Sequence, residues 1–279
     1  NTKIVTLQNE TFKGCINLTE VKLPAQIQSI GPFVFNDCRS LEKIDLFRTD
    51  ISYIGIAAFQ NCYNLKECAL PRKVKKIEKF TFKSCTQLKS IKMAPDIEEI
   101  GTSAFFGCNM LNEIDLRNKR NLKQLGNDAF AGCHRLEKMI IPAGIVKLSR
   151  GLFRGCVSIE TIELLGNVKK IPVDCFKDCK KLRTLSINFE ITSVGAGAFR
   201  NCFALNDISF LSDVAKVEVA AFRGCVGLEK AELRCIEEIP SALFMGCSNL
   251  VTVDFPWVQN LDNYAFYRCK ELVDVPIEK

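Results

Sequence analysis

The chain has 279 residues, 47% apolar and 25% charged, enough to bury a sizeable core and too hydrophobic for a disordered polymer. No stretch reaches the roughly 18 consecutive apolar residues of a membrane-spanning helix. The net charge of +6 is too mild to indicate nucleic acid, and a single histidine argues against most zinc sites and histidine-based catalysis.

Taken along the chain, Phe-x-x-Cys-x-x-Leu recurs from end to end. It begins at Phe12, Cys15 and Leu18, and its Phe returns at 35, 59, 82, 105, 130, 153, 176, 199, 222, 244 and 266. The steps are 22 to 25 residues, and the twelve copies, one of them with Ile159 in place of Leu, use 12 of the 20 Phe and 12 of the 15 Cys. After each Leu, the pattern x-x-apolar-x-apolar predicts a short strand with one face in and one face out. Val21 and Leu23, Ile44 and Leu46, Ile91 and Met93, and Ile162 and Leu164 are examples. A turn follows, often marked by proline, as at Pro24, Pro71, Pro95, Pro142 and Pro256. A second apolar pair, such as Ile27 and Ile30 or Ile97 and Ile100, predicts a shorter strand or extended segment. Gly31, Gly55, Gly101, Gly126 or Gly195 often closes it. The Ala-Phe-x-x-Cys stretch is then expected to form a short helical or 3₁₀ turn.

A unit of about 23 residues has too little apolar surface to fold alone, and stacking such units buries a continuous core. Neighbouring strands pair at about 4.8 Å, so the stack should span roughly 55–60 Å. The Leu-x-x-Ile-x-Leu strands are expected to form a parallel sheet on the concave side.

The consensus Leu-x-x-Ile-x-Leu-Pro-x-x-Val-x-x-Ile-Gly-x-x-Ala-Phe-x-x-Cys resembles the BspA-like, or TpLRR-type, class of leucine-rich repeats over the whole chain. The resemblance implies one leucine-rich repeat solenoid over residues 1–279, an α/β-type repeat fold that is mostly β, with about twelve units of ~23 residues. Members are mostly surface or secreted proteins, so it also implies adhesion or protein binding, and it carries over no catalytic residue. No enzyme, cofactor or metal is expected. An intracellular structural or assembly protein is the alternative, because fifteen unpaired thiols suit a reducing cytosol.

The cysteines read as packing rather than chemistry. Fifteen is odd, no Cys-x-x-Cys occurs, and a ladder spacing of about 4.8 Å exceeds the roughly 3.8 Å between Cβ atoms that a disulfide prefers. Each ladder thiol is expected to be free and buried, donating weakly to a neighbouring carbonyl. Cys68 and Cys175 read as core replacements and Cys235 as the exposed thiol. His134, next to Cys133, lacks a third group for a nucleophile arrangement. Gly195-Ala196-Gly197 occupies an ordinary repeat slot rather than a dinucleotide loop.

Function is therefore sought at exposed positions. The outward strand columns, second and fourth after the ladder Leu, hold ten acids and five bases, a balance of −5 that leaves +11 for the rest of the chain. Mid-array they supply the concave candidates for partner binding: Glu113, Asp115, Lys138, Ile140, Thr161 and Glu163, with Ile140 expected to be exposed. A basic ridge in the turn after the strand supplies a second set: Arg72, Lys73, Lys75, Lys76, Arg117, Lys119, Arg120 and Lys123. Glu98 and Glu99 interrupt it. A protein partner is expected on the concave face and an anionic partner such as a sulfated glycan on the ridge. Membrane insertion and nucleic acid are not expected. Asn1 aligns with Pro24 and Lys279 falls just past a strand, so the array shows no polar caps. End-to-end self-association is a further expectation.

Overall fold

The computed structural model describes residues 4–275; Asn1, Pro276 and Lys279 lie outside them. Every strand pairing is parallel and joins equivalent positions in neighbouring units. Two strand sets result, as the alternating patterns predict. The first follows the ladder Leu: Lys138–Ile141 pairs with Thr161–Leu164, which pairs with Thr184–Ser186. The second, shorter set runs through stretches such as Lys76–Ile77, Glu99–Ile100 and Gln124–Leu125. About eleven full turns lie between the twelve ladder phenylalanines, and their buried side chains form one continuous cluster from Leu7 to Ala265.

The ladder phenylalanines stack ring on ring from Phe12 to Phe266, with centroids 5.3–5.9 Å apart. Paired strands sit only about 4.7–4.9 Å apart. The coil is thus wider at the phenylalanines, and the first strand set lies on the inner, concave side.

The Phe–Cys turns are not helical or 3₁₀, which corrects the sequence expectation. The residues two before and two after every ladder Phe have positive φ, twenty-four in all. They include bulky side chains, Phe33 at 58° and Phe80 at 63°. The three residues between each positive-φ pair, the ladder Phe among them, do not share that conformation, and in this five-residue stretch alternate N–H groups point the same way along the array. Ala57, Phe59 and Asn61 donate to the carbonyls of Lys79, Thr81 and Lys83 in the next unit, at 2.9–3.0 Å. The intervening N–H groups of Ala58, Gln60 and Cys62 close local turns three residues back. A 3₁₀ turn would keep all these donors within one unit; here half of them bind the stack together.

The one helical segment among the described residues is a 3₁₀ turn at Ser209–Leu211, where a concave strand was expected. The Asp207 carboxylate accepts the Ser209 N–H at 2.8 Å. Asp45 and Asp115 make the same bond to Phe47 and Arg117, but two residues later in the repeat, after the strand position. In the Asp207 unit the turn-forming bond therefore comes before the strand can extend.

Candidate functional site: the concave strand face

The inner strand positions are occupied with packing: Ile114, Leu116, Met139, Ile141, Ile162 and Leu164 are all buried. The alternate positions face outward, and parallel pairing sets them in rows. Lys138 lies beside Thr161, Ile140 beside Glu163, and Glu163 beside Ser186. All six concave candidates, Glu113, Asp115, Lys138, Ile140, Thr161 and Glu163, line one shallow depression together with Arg117 and Ser186. Ile140 is half-buried rather than exposed, because Glu163 lies beside it in register. The Asp115 carboxylate is engaged at 3.0 Å by the Arg117 N–H, so it shapes the strand exit as well as the surface.

A larger depression lies on the same face. It is framed by Glu20, Lys43, Glu67 and Lys92 around the small outward side chains Ala69 and Ser90. Those two small residues, standing where other units carry charge, were the available signal. Beside it, Phe47 is flanked by Lys92 and Arg72, 4.9 and 5.6 Å from its ring centroid.

The basic ridge divides. Lys73 pairs with Asp50 at 2.6 Å, Lys75 with Glu98 at 2.8 Å, and Lys76 with Glu99 at 3.3 Å and Glu78 at 3.4 Å. The pairings with Asp50, Glu98 and Glu99 each span 23 residues, one unit, so the repeat arithmetic contained them. These three lysines are locally neutralised. Arg72, Arg117, Lys119, Arg120 and Lys123 have no such carboxylate among the described residues; Lys119 and Lys123 instead donate to the carbonyls of Met93 and Arg120.

The thiols form a hydrogen-bonded ladder. Eleven of them donate to the carbonyl of the preceding ladder Phe at 3.0–3.4 Å, as Cys156 does to Phe130. All fifteen cysteines are unpaired; Cys235 and the first ladder thiol, Cys15, are exposed, and Cys269 is half-buried. Burial pushes Cys68, Cys156 and Cys247 up to about 12, and Cys38 and Cys269 to about 11. These are poor nucleophiles and poor metal ligands. Cys133 is buried while the adjacent His134 is exposed, so the two do not face one another. Among the described residues no group of three or more His, Cys, Asp or Glu side chains is placed to hold a metal ion, and no helix is long and apolar enough to cross a membrane.

The family model for the BspA type leucine-rich repeat region matches residues 5–122, 111–229 and 219–279. The chain belongs to this family. BspA-type arrays are generally non-catalytic scaffolds with protein-binding surfaces. The chain is similar to a leucine-rich repeat protein from Bacteroides ovatus, at 27% identity and a TM-score of 0.68, over 97% of this chain and 70% of that one. It is also similar to the T. pallidum leucine-rich repeat protein TpLRR, at 25% identity and a TM-score of 0.56, over 73% and 83%. A leucine-rich cell surface protein from Faecalibacterium prausnitzii shares the fold at 23% identity and a TM-score of 0.65, over 96% and 75%. No functionally curated protein matches the chain.

Proposed function

We propose that this BspA-type array is a non-enzymatic recognition scaffold that binds a protein partner in adhesion, at a cell surface or outside the cell. The observation that carries the reading is the mid-array depression, where Ile140 stands among Glu113, Asp115, Lys138, Thr161 and Glu163. An apolar side chain ringed by charges of both signs has the form of a small recognition patch, apolar at the centre and polar at the rim. The cell-surface placement draws on the F. prausnitzii structure, itself a cell surface protein. A second reading, an intracellular assembly platform using the same face, draws on the fifteen unpaired thiols.

The test is retention of purified matrix proteins and cell-surface extracts by the immobilised array, with and without Ile140→Asp and Glu163→Lys. Saturable binding that free array competes and the double variant does not supports the reading. Binding indifferent to both substitutions removes this face from the account.

A further inference from the structure

Away from the concave face, the turn after the strand and the short strand behind it form an acid-free strip in three successive units. Residues 117–127, 142–151 and 165–173 carry eight basic side chains and no acidic one. Asp96, Glu98 and Glu99 border the strip in the preceding unit and Glu190 in the following one. Glu190 reaches Lys169 at 3.8 Å, and Asp174 reaches Arg150 at 4.0 Å. Arg117, Lys119, Arg120, Lys123, Lys147 and Lys170 have no carboxylate within 4.0 Å among the described residues.

The short-strand ladder breaks at the same place. Gln124–Leu125 ends one sheet, Lys170–Ile171 begins the next, and residues 146–148 belong to neither. The break lies along a depression lined by Val146, Lys147, Leu148, Lys169, Lys170 and Val194, with Val146 61% exposed. The depression that opens at this break thus carries two lysines, Lys147 and Lys170, with no carboxylate within 4.0 Å among the described residues, while its Lys169 pairs with Glu190 and its Lys216 with Glu218, and a new unit enters about every 4.8 Å along the stack.

We propose that this strip binds a sulfated polysaccharide laid along the axis of the array. Sulfate esters stay ionised at all physiological pH and recur along a linear chain, which suits cations repeated unit by unit. Single-stranded nucleic acid is recognised by aromatic stacking platforms within a basic groove, and no aromatic side chain lines this depression. The contrast with Lys73, Lys75 and Lys76 is internal to the molecule: the equivalent turn two units earlier also carries four cations, but three of them are neutralised by Asp50, Glu98 and Glu99.

The experiment measures binding of the full chain to heparin, to chemically desulfated heparin and to a single-stranded oligonucleotide. The variants are Lys147→Glu with Lys170→Glu, Arg117→Glu with Arg120→Glu, and the control Lys73→Glu with Lys75→Glu. The expected result is heparin binding that fades as salt rises from about 0.1 M to about 1 M, where the screening length falls from about 10 Å to about 3 Å. Desulfation should abolish it. Each strip double variant should lower affinity at least tenfold, about 1.4 kcal/mol, and the control should change it far less, with unfolding midpoints close to the parent's for all three. Equal losses in strip and control variants, no binding at low salt, or binding that survives desulfation would each overturn the proposal. An oligonucleotide held as tightly as heparin would overturn it too, and would make nucleic acid the partner class.

Discussion

At the scale of single residues, the ladder positions carry the stability and the thiols report on it. Cys15 and Cys235 are the two exposed thiols, and Cys269 is half-buried. An aromatic disulfide reagent added at mildly alkaline pH should therefore label two or three thiols quickly in the native protein and the remainder only after unfolding, with or without prior reduction. Several ladder disulfides in native protein would contradict the packing. The raised pKa values also set a pH dependence. Above about pH 9 an unfolded thiol has lost its proton while a folded ladder thiol keeps it, so the folded form is disfavoured as pH rises. The contribution is complete below about pH 9 and is lost towards about 11–12, at up to about 1.4 kcal/mol per pH unit for each such thiol. Denaturant midpoints should fall between pH 8.5 and pH 10.5, taken as about the window in which free thiols ionise; a constant midpoint would mean that the thiols are not buried. Phe153→Ala should cost about 3–5 kcal/mol by removing a fully buried ring from the stack. Phe33→Ala should cost clearly less, since Phe33 is only half-buried and Ala tolerates its φ of 58° better.

At the scale of the element, the Phe–Cys turn is where sequence reading and structure part. The repeat placed the turn, its Phe and its S–H donor, because spacing and residue type recur together. It did not reveal the pair of positive-φ residues that flanks each ladder Phe. Two residues after the ladder Phe, the positive-φ position is mostly Gly, Asn or Asp, as at Gly107, Asn61 and Asp178, which is a legible signal. Two residues before it stand Phe33, Phe80, Ala57 and Ala242, which give none; the hydrogen bonds to the next unit override their preference. Ala220 at φ 55° is a clean test. The left-handed conformation costs a non-glycine residue about 1–2 kcal/mol, and glycine costs roughly 0.5–1 kcal/mol in backbone entropy. Ala220→Gly should thus be neutral or stabilising by up to about 1 kcal/mol. Gly126→Ala should do the opposite, because its Cβ would stand 2.3 Å from the Thr102 nitrogen in the preceding unit. A loss of about 1–3 kcal/mol is expected in thermal or chemical unfolding. A neutral Gly126→Ala would show that the units can separate there without cost.

At the scale of the whole molecule, a solenoid separates cohesion from recognition. Ladder positions hold neighbouring units together, and outward positions are free to vary. That division explains what the sequence disclosed of the site. The concave columns could be written down from the two-residue strand period, and the residues chosen there do line one depression. The ridge was legible as composition but not as free charge, because Asp50, Glu98 and Glu99 neutralise Lys73, Lys75 and Lys76 from adjoining turns. The depression around Ala69 went unread because it is made by side chains that are small rather than by side chains that are chemically distinctive. One paired measurement tests this division most directly: unfolding free energy and partner affinity for the Ile140→Asp, Glu163→Lys double variant. Because Ile140 is half-buried, a stability loss of about 1–2 kcal/mol is expected, within the ordinary range for point substitutions and short of the loss at a ladder position, together with at least a tenfold loss of affinity, about 1.4 kcal/mol. Unchanged affinity with collapsed stability would contradict the division, placing these side chains in the framework rather than on the recognition face.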